Sequence, residues 1–182
     1  MLLIYLHGAP AVGKLTIAHA LAGLTGARLF HNHVMIDAAR SVFDFGADGF
    51  WPLVNQLRQT AIRAAANGGV PILITTSCFA DPEDLPELEK LEAALRSAES
   101  QFAPVYLTCP IDELEARVIR ADRREMRKIS SVSGLHDFLS RYNIAPVPRP
   151  DVLTIDTAEL SPEDAARQIV TRLNLPLIQS EI

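Results

Sequence analysis

The sequence predicts an α/β protein: a five-stranded parallel sheet flanked by helices on both faces, in a single domain over residues 1–182. Three observations predict it. Short aliphatic runs alternate with longer amphipathic stretches along the whole chain, the order that produces parallel strands joined by crossover helices. The runs lack strict apolar–polar alternation, as strands buried on both faces do. No repeat, low-complexity tract or linker interrupts the pattern, and 182 residues suffice for one core and are short for two.

Taken in order, the strands are Leu2–Leu6, Ala27–His31, Val70–Thr76, Ala103–Thr108 and Asp151–Asp156. The helix-length segments are Lys14–Leu24, Val34–Val42, Pro52–Asn67, Asp84–Ser100, Ile111–Lys128 and Leu135–Tyr142. A last helix begins at Ser161 as N-cap, with Pro162 at its first position and Glu163 and Asp164 near its positive end; Leu173 and Leu175 close it and Pro176 stops it.

Composition narrows the function classes. Apolar residues make up 48% of the chain, the globular range, and no apolar run approaches the ~20 residues of a membrane helix. MLLIYL lacks a basic leader and a cleavage site, so it reads as a strand and not as a signal peptide. A net charge of −5 disfavours an extended nucleic-acid surface. Two cysteines, Cys78 and Cys109, make no disulfide scaffold; they read as small apolar fillers and fit a cytoplasmic setting.

The stretch HGAPAVGKLT, His7–Thr16, leaves the first strand and opens the first helix. Strand, glycine loop and helix in that order are the context that a G-x-x-x-x-G-K phosphate-binding loop requires. Gly8 and Gly13 let successive N–H groups converge on phosphate oxygens, the helix N-terminus adds its dipole, and Lys14 brings a mobile positive charge. The residue after Lys14 is Leu15, and the hydroxyl follows at Thr16.

That form of the loop resembles the adenylate-kinase-like branch of the P-loop kinases, whose loop reads G-x-P-G-x-G-K-G-T. Pro10 fits it; Ala11 stands where the family often has glycine and is expected to keep a negative φ. The resemblance implies a P-loop NTPase fold of the nucleoside-monophosphate-kinase type with a helical lid. It implies ATP along Gly8, Ala9, Pro10, Ala11, Val12, Gly13, Lys14, Leu15 and Thr16, with Mg²⁺ at Thr16. The chain's end supports it: DVLTIDTAELSPED resembles the strand, Asp-Thr and Ser-Pro-Glu helix start of shikimate kinases and chloramphenicol phosphotransferase. Asp156 and Thr157 then border the adenine.

The acceptor side is read from FHNHVMID, Phe30–Asp37. Shikimate-kinase-like enzymes carry Asp-x-Asp there; this chain has His31, Asn32 and His33, with Asp37 four residues beyond His33. A helix starting near His33 puts His33 and Asp37 on one face, where the carboxylate orients an imidazole of near-neutral pKa as a general base. In the alternative, Asn32 caps the helix and the histidines are polar loop residues. VFDFGADGFW then supplies Phe45 and Trp51, either to stack on a substrate or to fill the core of a helical flap at about 33–67, with Arg40 and Arg58 placed to hold an anionic group.

Arg117, Arg120, Arg124 and Arg127 recur at three- and four-residue steps, one helical face after the fourth strand. Kinases of this class have an arginine lid there, about 117–135 in this chain. Arg117 and Arg120 would meet the nucleotide and Arg124 and Arg127 the transferred phosphoryl group; a solvated charged face is the other reading. In TTSCFAD, Thr76 and Ser77 stand at the strand end where a Walker B Asp is usual. Together these features imply an ATP- and Mg²⁺-dependent kinase acting on a small-molecule hydroxyl or a nucleotide. The alternative is a nucleotide-binding regulatory or ATPase module.

Overall fold

A computed structural model describes residues 1–121 and 128–178. Its five parallel strands are β1 (Leu2–Gly8), β2 (Arg28–Phe30), β3 (Ile72–Ser77), β4 (Gln101–Thr108) and β5 (Leu153–Asp156), in the spatial order β2-β3-β1-β4-β5. Seven helices stand among the described residues: α1 (Lys14–Thr25), α2 (Asn32–Arg40), α3 (Phe50–Asn67), α4 (Leu85–Ser97), α5 (Ile111–Val118), α6 (Val132–Arg141) and α7 (Pro162–Arg172). No described helix is long and apolar enough to cross a membrane.

β1 lies at the centre of the sheet because its residues have apolar partners on both faces. Ile4 and Leu6 join Ile17, Leu21 and Ile169 under α1 and α7, while Leu3 joins Ile62, Leu91 and Leu95 under α3 and α4. Burial on both faces explains why the strand reads as an unbroken aliphatic run. Pro104 sits within β4 at no cost to the ladder with β5, since that pairing begins at Val105. All strands run the same way, so β1, β2, β3 and β4 deliver Gly8, Phe30, Ser77 and Thr108 to one edge of the sheet, where ligands bind in open α/β folds.

Several expected boundaries move. α2 starts at Asn32 and not at Val34, with His31 in extended backbone as its N-cap; Asn32 is the first helical residue and not the cap. The expected helix over 111–128 is broken after Val118, with Ile119 in a turn and Arg120 outside α5, so Arg117 and Arg120 do not share one helix; Arg124 and Arg127 lie outside the described residues. The last helix begins as expected: Ser161 Oγ accepts the Asp164 amide and Pro162 is the first residue.

Candidate functional site

The loop from Gly8 to Gly13 is shaped by backbone that few residues adopt. Gly8 has φ +145° and Gly13 φ +97°. A Cβ on Gly8 would lie 2.3 Å from the Leu107 carbonyl oxygen of β4, so only glycine lets β1 turn there. Ala11 also has a positive φ, +70°, which corrects the expectation that an alanine must stay negative. The left-handed region costs alanine about 1–2 kcal/mol, and burial of Ala11 and Val12 against the core holds the strained turn in place.

The helix then starts at Lys14, and the first intrahelical bond at its head runs from the Ile17 amide to Gly13 O at 3.0 Å. Helix geometry leaves the N–H groups of Lys14, Leu15 and Thr16 without an intrahelical acceptor, and they face the sheet edge with the positive dipole end. No acidic side chain stands in the first turn to take that place. Lys14 Nζ donates to Gly8 O and Ala9 O, both at 2.7 Å, and to Cys78 Sγ at 3.2 Å. Thr16 is exposed on the first turn, and Leu15 is half-buried beside it.

Cys78 is thus no mere filler. It follows β3 directly, one residue beyond Ser77, and touches the loop lysine. Thr76, two residues earlier in β3, accepts the Asn32 amide at 3.1 Å and so pins the start of α2 to β3. Among the described residues no group of three His, Cys, Asp or Glu side chains is placed to hold a metal ion. Thr16, exposed at the head of α1, presents a hydroxyl of the oxygen-donor kind that Mg²⁺ accepts.

The loop after β5, expected to border the adenine, packs against the glycine loop. Thr157 is buried; its hydroxyl faces Val12 O at 3.1 Å and Thr108 O at 3.2 Å and accepts from Arg117 at 3.1 Å. Arg117 further donates to the carbonyls of Thr157 and Ala158 and pairs with Glu113 at 3.4 Å. It therefore turns towards the β5 loop and not outward along an arginine face. Asp156 stays exposed and accepts the Ala158 amide. Arg120 is exposed; Arg124 and Arg127 lie outside the described residues.

Of the residues expected to meet the acceptor, the structure brings His31, Asn32, His33 and Arg58 together. Arg58 donates to Asn32 Oδ1 at 2.7 Å and to Asn55 Oδ1 at 2.8 Å. With its oxygen committed to the guanidinium, Asn32 keeps its amide N–H groups to offer. The His31 and His33 rings stand 6.4 Å apart, and Nδ1 of each is buried with no partner. Burial lowers the His33 pKa to about 4, with the Lys128 ammonium adding to the effect; burial also lowers His31. The expected near-neutral imidazole is therefore corrected: His33 is uncharged at neutral pH and a weak base. Asp37 is exposed, and its carboxylate lies 3.7 Å from Arg40 Nη1; no hydrogen bond joins it to His33.

The aromatic segment divides between core and surface. Phe50 is fully buried with Met35, Ile36 and Val54 as the core of the flap. Phe45 and Trp51 pack edge-on against it, 5.1 Å from its centroid, and remain 60% and 46% exposed. The Arg40 guanidinium lies 4.9 Å over the Phe45 ring. Sequence reasoning gave no role to His7, which the site's geometry brings forward; its motif position beside Gly8 was the only signal.

No protein-family model matches the chain, and no curated protein matches it. Solved structures do. The tunicamycin resistance protein of Deinococcus radiodurans is 21% identical with a TM-score of 0.66, covering 99% of this chain and 100% of its own. Shikimate kinase from Acinetobacter baumannii, solved in complex with shikimate, is 18% identical with a TM-score of 0.58 over 94% and 92% of the two chains. The APS kinase of Mycobacterium tuberculosis, solved with AMPPNP and APS, is 13% identical with a TM-score of 0.57 over 94% and 96%. Sheet order, loop geometry and these full-length superpositions agree: the chain has the fold of the P-loop kinases.

Proposed function

We propose that this protein is a phosphotransferase that moves the γ-phosphoryl group of ATP to a hydroxyl of a small molecule or nucleotide. The observation that carries the reading is the loop Gly8–Lys14. Three residues of positive φ curve the backbone, three helix-start N–H groups lack intrahelical acceptors, and one ammonium is held by two carbonyls and a thiol at the loop's own mouth. A triphosphate satisfies all of these at once. The kinase names of the structural neighbours support it at the level of fold.

In the proposed reaction Lys14 leaves the carbonyls of Gly8 and Ala9 for the β- and γ-phosphates. The bond from the γ-phosphorus to the β–γ bridging oxygen breaks as the acceptor oxygen bonds to phosphorus. Bound Mg²⁺ would neutralise charge on the phosphate oxygens. Asn32, held by Arg58, offers an N–H donor to an acceptor oxygen, and Arg40 and Arg58 add positive charge for an anionic acceptor. The hydroxyl proton passes to the unpartnered His33 Nδ1 or to water. A loose transition state asks little of a base, which suits a weakly basic imidazole.

The test is ATP consumption with and without a library of hydroxylated metabolites and nucleosides. A phosphotransferase gives ADP production that depends on one acceptor class and a phosphorylated product of matching mass. Slow ADP production untouched by every library member would instead favour the ATPase or regulatory module.

A further inference from the structure

His7 stands one residue before the phosphate loop and has no exposed surface. The Val147 amide donates to its Nε2 at 3.1 Å, so Nε2 carries the lone pair; Nδ1 then carries the hydrogen and faces Tyr5 O at 3.3 Å. Burial keeps the ring neutral, with a pKa lowered to about 4, so this tautomer persists at neutral pH. Val147 itself is 2% exposed and packs with Tyr5, Phe79 and Leu88.

The segment around Val147, residues 143–149, has no helix or strand of its own beyond a single bridge, yet it is tied at one end to the β3–α4 loop and at the other to α4. The Asp81 amide donates to Asn143 O at 2.9 Å, and Ala80 and Ile144 form an antiparallel bridge. Arg149 grips the buried carboxylate of Glu92 on α4 with two bonds, 2.8 and 2.9 Å. The Ala80–Asp81 turn continues directly from Cys78, which touches Lys14. The contacts close a ring around the phosphate loop: Lys14 to Cys78, along the chain to Asp81, across to Asn143 and Ile144, on to Val147, and through His7 back to Gly8.

We propose that His7 is a positioning residue for phosphoryl transfer. By accepting the Val147 amide it holds segment 143–149 against the β3–α4 loop, and so sets where Cys78 and Lys14 stand relative to Gly8. The role in turnover rests on the phosphotransferase reading; the mechanical coupling does not. A lone loop would be free to shift the lysine by the order of 1 Å, a displacement worth up to about a hundredfold in rate.

Two substitutions at His7 and one at the far end of the segment test it. His7→Gln keeps an acceptor near the Nε2 position; His7→Leu keeps bulk and removes the acceptor. Arg149→Gln loosens the same segment from α4 without touching β1, and so carries the test if His7→Leu does not fold. Amide hydrogen exchange of each protein as purified is the first readout. His7→Leu and Arg149→Gln should raise exchange by about tenfold or more both in 143–149 and in 78–84, with α7 unchanged, while His7→Gln resembles wild type. With an acceptor in hand, kcat should fall roughly ten- to a hundredfold in His7→Leu, with KM for ATP changed less than about threefold and His7→Gln restoring most of it. Faster exchange in 143–149 with none in 78–84 overturns the coupling, as does equal damage from His7→Gln and His7→Leu. A failed acceptor search leaves the exchange result to decide the coupling alone.

Discussion

Lowering the pH should unfold this protein by a route that runs through His7. An imidazole titrates near 6.5 in the unfolded chain, while burial depresses His7 to about 4 in the fold. Between those values the unfolded state binds the proton and the folded state does not, so the unfolding free energy falls as pH falls through the window. A depression from 6.5 to about 4, at 1.36 kcal/mol per pH unit, amounts to about 3 kcal/mol, all present above pH 6.5 and all lost below about 4. That is a large part of the ~5–15 kcal/mol that holds a domain together. Protonation also abolishes the bond itself, since an imidazolium has no lone pair for the Val147 amide. His33 titrates in the same window at a half-buried site, and Asp84, whose pKa burial raises, works in the opposite sense; the comparison must therefore be a difference. Urea denaturation followed by far-UV circular dichroism at pH 7.5, 6.5, 5.5 and 4.5 should give a steeper loss for wild type than for His7→Gln. Parallel curves for the two proteins would refute the buried neutral imidazole.

Other expectations follow from the same geometry. Gly8→Ala should be far worse than Gly13→Ala: the first puts a Cβ 2.3 Å from the Leu107 carbonyl, whereas the second meets only Ile17 Cδ1 at 3.6 Å and loses about 1–2 kcal/mol to backbone strain. Denaturation midpoints for the two variants compare them directly, and equal losses would show that β4 does not crowd the turn. Thr157→Val keeps shape and removes the hydroxyl that faces Val12 O and Thr108 O, so stability should drop by about 1–3 kcal/mol and nucleotide affinity with it; an unchanged affinity would separate the β5 loop from the site. If His33 takes the acceptor proton, the pH–rate profile should stay level from pH 7.5 to 5.5 and bend near pH 4, and His33→Asn should remove that bend with a modest loss of kcat. A bend near 6.5, or one that survives the substitution, would take His33 out of the reaction.

What could be read from the chain was what depends on neighbours in sequence. The aliphatic runs of β1 and β3, the Ser161-Pro162 helix start and the glycine–lysine spacing of the phosphate loop each encode their structure within about ten residues. The rest depends on contacts across the fold. Ala11 adopts a left-handed turn because the core closes over it, not because alanine prefers one. The depressed pKa of His33 comes from burial that no local pattern displays. α5 stops at Val118 although the arginine spacing continues, and Arg117 turns in to the Thr157 carbonyl, 40 residues away. Cys78 meets Lys14 across 64 positions, and His7 meets Val147 across 140; neither pairing leaves a mark in the one-dimensional sequence.

Lys14 is the residue on which the proposed phosphate binding depends most directly. Its ammonium sits on Gly8 O and Ala9 O at 2.7 Å, and in the proposed reaction it moves to the triphosphate. Calorimetric titration of MgATP into wild type and Lys14→Ala, with a circular dichroism check that both are folded, measures that directly. Loss of a charge-assisted contact of about 1.5–3 kcal/mol predicts an affinity lower by roughly ten- to a hundredfold, with turnover reduced to background. Equal affinity and equal turnover in the two proteins would contradict the phosphate-loop assignment and the phosphotransferase reading built on it.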